Sequence, residues 1–427
     1  MRTFELGADY AAKLDAVDPI ASLRERFYVK EDELYMDGNS LGLCSRDAEA
    51  AILNILSVWK GQGIGIWTAE DGLYFLYPSY LGGLLAPLIG ADKDEVTITN
   101  STTINIHQAI ATFYKPTKER YKILVDDLNF PTDRHAVDSQ VMLKGYDPAD
   151  AVKVVESPDG RLIDEEAVIA AMTDDVALCL MPSVLYRSAQ LLNIEKLSRA
   201  ARERGIIIGW DLCHSIGAIP HDLKKADADF AIWCNYKYLN AGPGAVGGLY
   251  INRRHFGMTP GLAGWHGNLK ATQFELHHKH DPAPDADAWL TGTAPMLSMA
   301  GLEGNLKIVA EAGIDRIREK SLNLTAYLMF LIDARLTPYG YAVGNPREDA
   351  VRGGHVALEH SEAYRICQAL KLKKVIPDYR EPNVVRLAPV ALYNTYAEVH
   401  RLVDILEEIG KDRLYEQIPA EKTGIVH

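Results

Sequence analysis

Phe230-Ala231-Ile232-Trp233-Cys234-Asn235-Tyr236-Lys237-Tyr238-Leu239-Asn240-Ala241-Gly242-Pro243-Gly244 is the stretch of sequence that decides the fold. Its first five residues predict a buried strand, and Gly242-Pro243-Gly244 predicts a turn. Lys237 lies between the two, where its ammonium group would lose most of its hydration. Desolvation and neighbouring groups can lower the pKa of such an amine toward neutrality, so that it forms a Schiff base and later acts as a base. This behaviour is typical of a lysine that binds pyridoxal phosphate.

Short apolar runs alternate with helical patterns on both sides of this segment. The predicted strands are Val96–Thr99, Lys122–Asp126, Val176–Met181, Ile206–Asp211, Phe230–Cys234 and Gly247–Asn252. Predicted helices such as Glu165–Met172 and Ile194–Arg204 lie between them. The alternation predicts an α/β domain with a mainly parallel sheet, whose ligands bind at the carboxyl ends of the strands.

The pattern changes beyond residue 296. Long amphipathic segments, Leu302–Ala334 and Thr395–Gly410, flank short strand-like runs at Val356–Glu359 and Val384–Ala388. The sequence therefore predicts three parts. Residues 1–50 form a segment that packs on the domains or on a dimer partner, residues 51–295 form the large cofactor-binding domain, and residues 296–427 form a smaller α+β domain.

Composition limits the partners and the location of the chain. Its 427 residues carry 45 Lys+Arg and 58 Asp+Glu, a net charge of −13 that repels nucleic acid. The N-terminus lacks the apolar core of a signal peptide, and the most apolar stretch is interrupted by prolines and glycines. Five cysteines without a CxxC pair predict reduced thiols. We therefore expect a cytoplasmic protein with no nucleic-acid or membrane partner.

Polar residues follow several predicted strands at the ligand-binding edge. Thr102 and Thr103 open a helix after the first strand, and hydroxyls and free N–H groups there suit a phosphate, although N-capping alone also explains them. Phe130 follows the next strand and is either a cofactor-stacking ring or a core residue. Asp211 ends an apolar strand, where it either pairs with a protonated pyridine nitrogen or caps a helix. His214, three residues on, has an orienting or a structural role.

At this point the sequence resembles a known family, kynureninase, of the fold type I group of pyridoxal-phosphate enzymes. The matching motifs are Tyr35-Met36-Asp37-Gly38-Asn39-Ser40-Leu41-Gly42, Phe130-Pro131-Thr132-Asp133, Asp211-Leu212-Cys213-His214, the Lys237 segment, Gly264-Trp265, Gly292-Thr293 and Arg386-Leu387-Ala388-Pro389-Val390. They extend over nearly the whole chain. The resemblance implies a mainly parallel sheet of seven-stranded type in the large domain and a smaller α+β C-terminal domain.

The resemblance also implies roles for individual residues. Lys237 would bind pyridoxal 5′-phosphate as a Schiff base and move a proton between Cα and C4′, while Asp211 would pair with the pyridine nitrogen. The remaining implied cofactor contacts are Thr102, Thr103, Phe130, Asp133, His214 and Tyr236, with Trp265 and Thr293 contributed by the second subunit of a homodimer. The implied substrate contacts are Arg386, which would clamp the α-carboxylate, and Asn39, Trp67 and His266. His266 stands where many members have an aromatic residue.

The implied reaction is hydrolysis of L-kynurenine, possible also with 3-hydroxykynurenine, to anthranilate or its 3-hydroxy form and L-alanine. Such a reaction serves tryptophan degradation or NAD biosynthesis. Tyr236 is a candidate proton donor to Cβ, and a role limited to holding the phosphate is an equal alternative. No metal is expected, because the run His277-His278-Lys279-His280 leads into prolines and is typical of a solvated loop.

Two other functions stay open on the sequence. One is another enzyme of the same fold, such as a cysteine desulfurase or an aminotransferase; a desulfurase needs a cysteine on a mobile loop. The other is a non-catalytic binding protein of this fold, which would be expected to have lost Lys237 or Asp211. Both residues are present.

Overall fold

The computed structural model describes residues 3–421 and contains three sheets. The strands are β1 Leu34–Tyr35, β2 Val96–Ile98, β3 Lys122–Asp126, β4 Val152–Val155, β5 Val176–Pro182, β6 Ile207–Asp211, β7 Phe230–Trp233, β8 Gly248–Ile251, β9 Ala342–Val343, β10 Val356–Glu359, β11 Val375–Ile376, β12 Asp378–Arg380 and β13 Val384–Leu387. The helices are α1 Ala8–Ala16, α2 Arg46–Gln62, α3 Tyr77–Leu85, α4 Thr102–Phe113, α5 Pro131–Leu143, α6 Pro148–Ala151, α7 Glu165–Ala171, α8 Ile194–Glu203, α9 Leu223–Ala226, α10 Met296–Ala312, α11 Ile314–Leu331, α12 Ala363–Leu372 and α13 Tyr396–Lys411.

The large sheet has seven strands in the order β2-β8-β7-β6-β5-β3-β4. Only β8 runs antiparallel to its neighbours, so the prediction of a mainly parallel sheet is confirmed. All six predicted strands of this region are present, with ends shifted by no more than a residue. Apolar cores lie on both faces of the sheet, which explains why its strands are continuous apolar runs.

The smaller sheet is antiparallel, with the order β12-β13-β10-β9. Helices α11, α12 and α13 pack on it around a separate apolar cluster. The predicted helical segment Leu302–Ala334 is two helices, because Gly313 has a φ of 78° and separates α10 from α11. Thr395 starts α13 with a capping box that includes Glu398.

The N-terminal segment packs on the rest of the same chain. Helix α1 lies against α13, and Asp15 accepts hydrogen bonds from the first backbone N–H groups of that helix, at 2.7 Å from Tyr396 N and 2.9 Å from Ala397 N. Strand β1 pairs in parallel with β11. The division of the chain at residues 50 and 295 stays a prediction.

Candidate active site

A cavity of about 340 Å³ opens at the carboxyl ends of the parallel strands. This is the edge at which the sequence places its polar residues, and an open parallel sheet binds ligands there. The cavity is lined by Asn39, Ser40, Ser101, Thr102, Thr103, Phe130, Thr132, Asp133, Asp211, Cys213, His214, Cys234, Tyr236, Lys237, Gly244, Ala245, Arg380 and Arg386. Ten of the fourteen residues predicted for the site are therefore brought together by the fold.

Lys237 lies in the loop after β7, with its side chain in this cavity. Its Nζ atom is 3.3 Å from Nε2 of His214 and 5.9 Å from the ring centroid of Tyr236. Burial alone would lower the pKa of Lys237, but its electrostatic interaction with the neighbouring Cys234, Cys213 and Asp211 raises it above the usual lysine value. The expectation of a pKa lowered toward neutrality is wrong for this arrangement, because the sequence did not show that acidic groups surround the amine.

Asp211 and Asp133 form a buried carboxyl pair in the same cavity. Asp211 ends β6, and its Oδ1 accepts a hydrogen bond of 2.7 Å from the backbone N–H of Cys213. Burial, and then the Asp211 charge, raise the pKa of Asp133 well above its usual range, which favours its neutral form. Asn129 donates to Asp133 Oδ2 at 2.7 Å and fixes its orientation. A carboxyl pair that favours one shared proton suits a single protonated ring nitrogen.

His214 is buried between two cationic side chains. Burial, followed by the charges of Lys237 and Arg386, lowers the pKa of His214 well below its usual value. The ring is therefore neutral, and its Nε2 lies 3.3 Å from Lys237 Nζ and 3.5 Å from Arg386 Nη1. Phe130 forms another wall of the cavity and meets Tyr186 edge to face at 5.4 Å. The Phe130 ring offers a flat surface to a planar ligand.

An anion-binding end is formed where α4 begins. Ser101 is the N-cap, with its Oγ 3.5 Å from Ile104 N, and Thr102 and Thr103 are the first helical residues. The hydroxyl of Thr103 lies 2.7 Å from that of Thr132 at the start of α5. Free N–H groups and hydroxyls at a helix N-terminus bind phosphate. The donors present here fit the phosphate of the cofactor that Lys237 would hold.

Arg386 on β13 closes the cavity on the side of the smaller sheet. Its Nη1 donates to the backbone oxygen of Tyr186 at 3.0 Å, and its Nη2 donates to Ser40 Oγ at 2.9 Å. Nε of Arg386 and the side-chain amide of Asn39 are buried and have no hydrogen-bond partner within residues 3–421. Unpaired buried donors are costly, so these groups point to a polar ligand.

Four predicted residues do not line this cavity. Trp67 lines a separate apolar groove of about 530 Å³ beside α2 and the start of α10. Trp265 contacts Phe274, and Thr293 lies exposed on the surface. His266 is buried against the ring of Phe75, where burial lowers its pKa to about 4. The loops that carry these residues lie away from the cavity of their own chain.

Eight residues that line the cavity were not predicted for the site: Ser40, Ser101, Thr132, Cys213, Cys234, Gly244, Ala245 and Arg380. Cys213 and Cys234 are buried free thiols of the main apolar cluster, and both also line the cavity. Cys234 N donates to Cys213 Sγ at 3.3 Å, and Thr102 Oγ1 lies 3.7 Å from the same sulfur. Strands β6 and β7 pair side by side, and the same pairing continued past their ends places residue 213 opposite residue 234. This pairing is the feature that would have indicated the two cysteines as cavity residues.

Within residues 3–421, no group of three or more His, Cys, Asp or Glu side chains is arranged to hold a metal ion. None of the helices described there has the length and apolar character needed to cross a bilayer.

Solved structures with the same architecture include cysteine desulfurases. The enzyme from Thermococcus onnurineus NA1 superposes with a TM-score of 0.78 at 17% identity, covering 96% of this chain and 100% of that one. The desulfurase CsdA from Escherichia coli gives a TM-score of 0.77 at 17% identity, covering 94% and 100% of the two chains. At this identity the likeness shows the fold alone, and it confirms the predicted fold type I.

Sequence relatives are much closer. Residues 317–406 match the kynureninase C-terminal domain. Kynureninase from Bacillus thuringiensis subsp. konkukian is 54% identical over 414 residues, and kynureninase from Geobacillus thermodenitrificans is 50% identical; in both cases 97% of each chain is covered. These matches confirm the resemblance seen in the motifs. The chain belongs to the kynureninase family.

Proposed function

We propose that this protein is a pyridoxal-phosphate-dependent hydrolase that cleaves the Cβ–Cγ bond of L-kynurenine to give anthranilate and L-alanine. The observation that carries the proposal is the cavity in which Lys237, Asp211 and Arg386 face one another. Identities of 50 and 54% to kynureninases over nearly the full chain support the substrate. An aminotransferase or desulfurase is the less favoured alternative.

The side chains of the cavity fit the cofactor at three points. Lys237 supplies the amine for its aldehyde, the Asp133–Asp211 carboxyl pair supplies a partner for its ring nitrogen, and the start of α4 supplies donors for its phosphate. Bound there, pyridoxal phosphate withdraws electrons from the substrate carbon atoms next to the amino group, which makes the Cβ–Cγ bond breakable.

Transfer of the proton at the substrate Cα is assigned to Lys237, with His214 and Arg386 in supporting roles. Lys237, the one lysine within residues 3–421 that lines the cavity, would as a free amine remove and return the proton at Cα. The neutral His214 ring, 3.3 Å away, accepts a hydrogen bond from the Lys237 ammonium and steadies it. Arg386 binds the substrate carboxylate and thereby fixes which substrate bond faces Lys237.

Tyr236 is our candidate for the proton donor to Cβ. Its hydroxyl-bearing side chain lines the cavity beside Lys237. Burial, followed by the neighbouring Cys234 and Cys213, raises the pKa of Tyr236 far above the usual phenol value. The phenol is therefore protonated at every physiological pH, as a general acid must be.

Substrate assays distinguish the alternatives. The purified holoenzyme is incubated separately with L-kynurenine, 3-hydroxykynurenine, L-cysteine, and L-alanine with a 2-oxo acid. We expect anthranilate and alanine from L-kynurenine. We expect no sulfide from L-cysteine and no lasting conversion of the cofactor to its amine form. Sulfide release as the main activity would establish a desulfurase instead.

We further propose a cytoplasmic homodimer with its active sites at the subunit interface, serving tryptophan degradation or NAD biosynthesis. Trp265 and Thr293 would then reach the cavity of the partner subunit, which is supported by the 40% exposure of Trp265 and by the exposed Phe274 beside it. A mixing experiment tests this arrangement. Lys237→Ala and Trp265→Ala proteins, each inactive, should regain activity after co-refolding, because one site per mixed dimer is intact. No recovery in verified mixed dimers would contradict shared sites.

A further inference from the structure

The carboxylate of Asp378 holds two guanidinium groups, those of Arg386 and Arg380, at one wall of the cavity. Strand register brings the three side chains together. Asp378 lies directly opposite Arg386 in the antiparallel pair of β12 and β13, and Arg380 is two residues further along β12, on the same face. This arrangement is therefore built into the backbone and does not depend on a flexible loop.

Ser40 completes the group from the N-terminal side of the chain. Its hydroxyl donates to Asp378 Oδ2 at 3.1 Å and accepts from Arg386 Nη2 at 2.9 Å. Arg380 Nη2 lies 2.9 Å from the same carboxylate oxygen. Only 1% of the Arg386 side chain and 8% of the Asp378 side chain are exposed, so water screens this contact poorly. The Arg386 guanidinium is consequently held in one orientation.

Donors remain unused on both arginines. Nε of Arg386 and Nε of Arg380 are buried without a hydrogen-bond partner within residues 3–421, and both arginines line the cavity. The two guanidinium groups share the Asp378 carboxylate, and burial, followed by the Asp378 charge, raises the pKa of the neighbouring Asp37 to about 6. Guanidinium donors that have no partner in the protein are suited to a carboxylate ligand.

We propose that Asp378 is a positioning residue that holds Arg386 and Arg380 as a paired guanidinium site for the α-carboxylate of an amino-acid substrate, with Arg380 as a second specificity-determining cation. The inference rests on the proposed function, because it assigns the substrate carboxylate to the wall formed by Arg386. It adds a second arginine and the carboxylate that orients both.

Ligand binding tests the proposal without requiring carbon–carbon bond cleavage. L-alanine and ethylamine are each titrated into holoenzyme, and the change in visible absorbance of the bound cofactor gives the dissociation constant. The two amines differ chiefly in the carboxylate. Asp378→Asn and Arg380→Gln are expected to weaken L-alanine binding about tenfold and to leave ethylamine binding within about twofold, because one charge-assisted contact is lost or misoriented. With L-kynurenine, KM should rise in parallel while kcat changes little.

Arg161→Gln provides the matched control. Arg161 also pairs with a buried carboxylate of the smaller sheet, Glu359 on β10, but does not line the cavity. This variant should bind both amines like the parent. Arg380→Lys should restore part of the L-alanine affinity, since it returns the positive charge without the planar fork.

The outcomes separate this inference from the proposed function. Equal weakening of L-alanine and ethylamine would show general damage to the cavity and overturn the positioning role. Tighter L-alanine binding by Asp378→Asn would show that Asp378 competes with the ligand, and unchanged binding by Arg380→Gln would remove the second cation. If the parent binds L-alanine but does not cleave L-kynurenine, the proposed function fails while the paired arginines are still tested. Should Asp378→Asn fail to fold, Arg380→Gln, whose side chain is one-third exposed, decides the matter.

Discussion

Nζ of Lys237 lies 3.3 Å from Nε2 of His214, and both groups line one cavity at the carboxyl ends of the central strands. The pKa of His214 is lowered well below its usual value by burial and by the adjacent cations. The imidazole is therefore a neutral acceptor beside an ammonium group. This contact links the reactive amine to the substrate-binding wall, since the same ring nitrogen lies 3.5 Å from Arg386 Nη1.

Two replacements of Lys237 distinguish the role of its positive charge from the role of its amine in forming a Schiff base. Lys237→Arg keeps a cation of similar length beside His214 but cannot form a Schiff base, and Lys237→Ala removes both. We expect both variants to lose activity by at least about a thousandfold, because covalent and general-base roles are lost together. Both should also lose the visible absorbance of covalently held cofactor. Substantial activity in Lys237→Arg would mean that a different amine does the chemistry.

The pH profile of activity should contain no step from His214. A histidine whose folded pKa is lowered stays neutral until the pH falls far below its usual pKa, so between about pH 6 and 8 its charge is constant. His214→Asn is expected to lower activity while leaving the position of the acidic limb unchanged. Steady-state kinetics across this range checks the point, and a limb near the ordinary histidine pKa that disappears in His214→Asn would contradict it.

The two carboxyl groups of the cavity should respond differently to amide substitution. Burial and the Asp211 charge raise the pKa of Asp133 and favour its neutral form, so Asp133→Asn should reduce activity less than about tenfold. Asp211→Asn removes the carboxylate proposed to partner the ring nitrogen and should cost about a hundredfold or more. Steady-state kinetics of both variants, with the cofactor content of each measured in parallel, tests this prediction. A larger loss of activity in Asp133→Asn than in Asp211→Asn would contradict it.

Asp126 should make the fold less stable as pH rises. Burial raises the pKa of Asp126 from 3.8 to about 7, and one of its oxygens has no partner within residues 3–421. Because the folded state then binds more protons than the unfolded state, the free energy of unfolding falls between these two values. Asp126→Asn should therefore be more stable than the parent by about 4 kcal/mol at pH 8 and by less than half of that at pH 5. Chemical denaturation at both pH values gives the comparison.

Asp229 supplies a control of opposite sign. Burial alone would raise the pKa of Asp229, but His255, Arg254 and the Ile208 N–H lower it overall. Its contribution to stability is present above the unfolded pKa and is lost as the pH falls through the folded value. Asp229→Asn should therefore be less stable than the parent at both pH values. A gain at pH 8 in both variants would show that the effect is not specific to Asp126.

Much of the fold could be predicted because buried parallel strands are apolar runs ended by polar residues. Strand β4 was missed since Val152–Val155 is a short edge strand that contains Lys153. Strand β12 was missed because Asp378-Tyr379-Arg380 has no apolar pattern and is a strand only through its pairing with β13. Strands β4 and β12 form because of tertiary contacts, which cannot be inferred from the local sequence.

The same limit applies to the site. Asp211 and Lys237 could be identified because each is a charged residue at the end of an apolar strand. Cys213 and Cys234 are small apolar-like residues, and only the register of β6 and β7 turns them toward the cavity. Arg380 is identified only in the structure, where it pairs with Asp378, the residue opposite Arg386 in the sheet. The sequence therefore indicates the reactive groups, Lys237 and Asp211, but does not indicate Asp378 and Arg380, which are brought to the site by strand pairing.

Cleavage of L-kynurenine in water enriched in oxygen-18 tests the central claim most directly. Hydrolysis of the Cβ–Cγ bond adds water at the γ-carbonyl, so the holoenzyme should release anthranilate and L-alanine in equal amounts, with at least one solvent oxygen in the anthranilate carboxylate. Lys237→Ala, assayed in parallel, should release neither product. Cofactor-loaded protein that gives no anthranilate, or that gives it without an equal amount of alanine, would contradict the account.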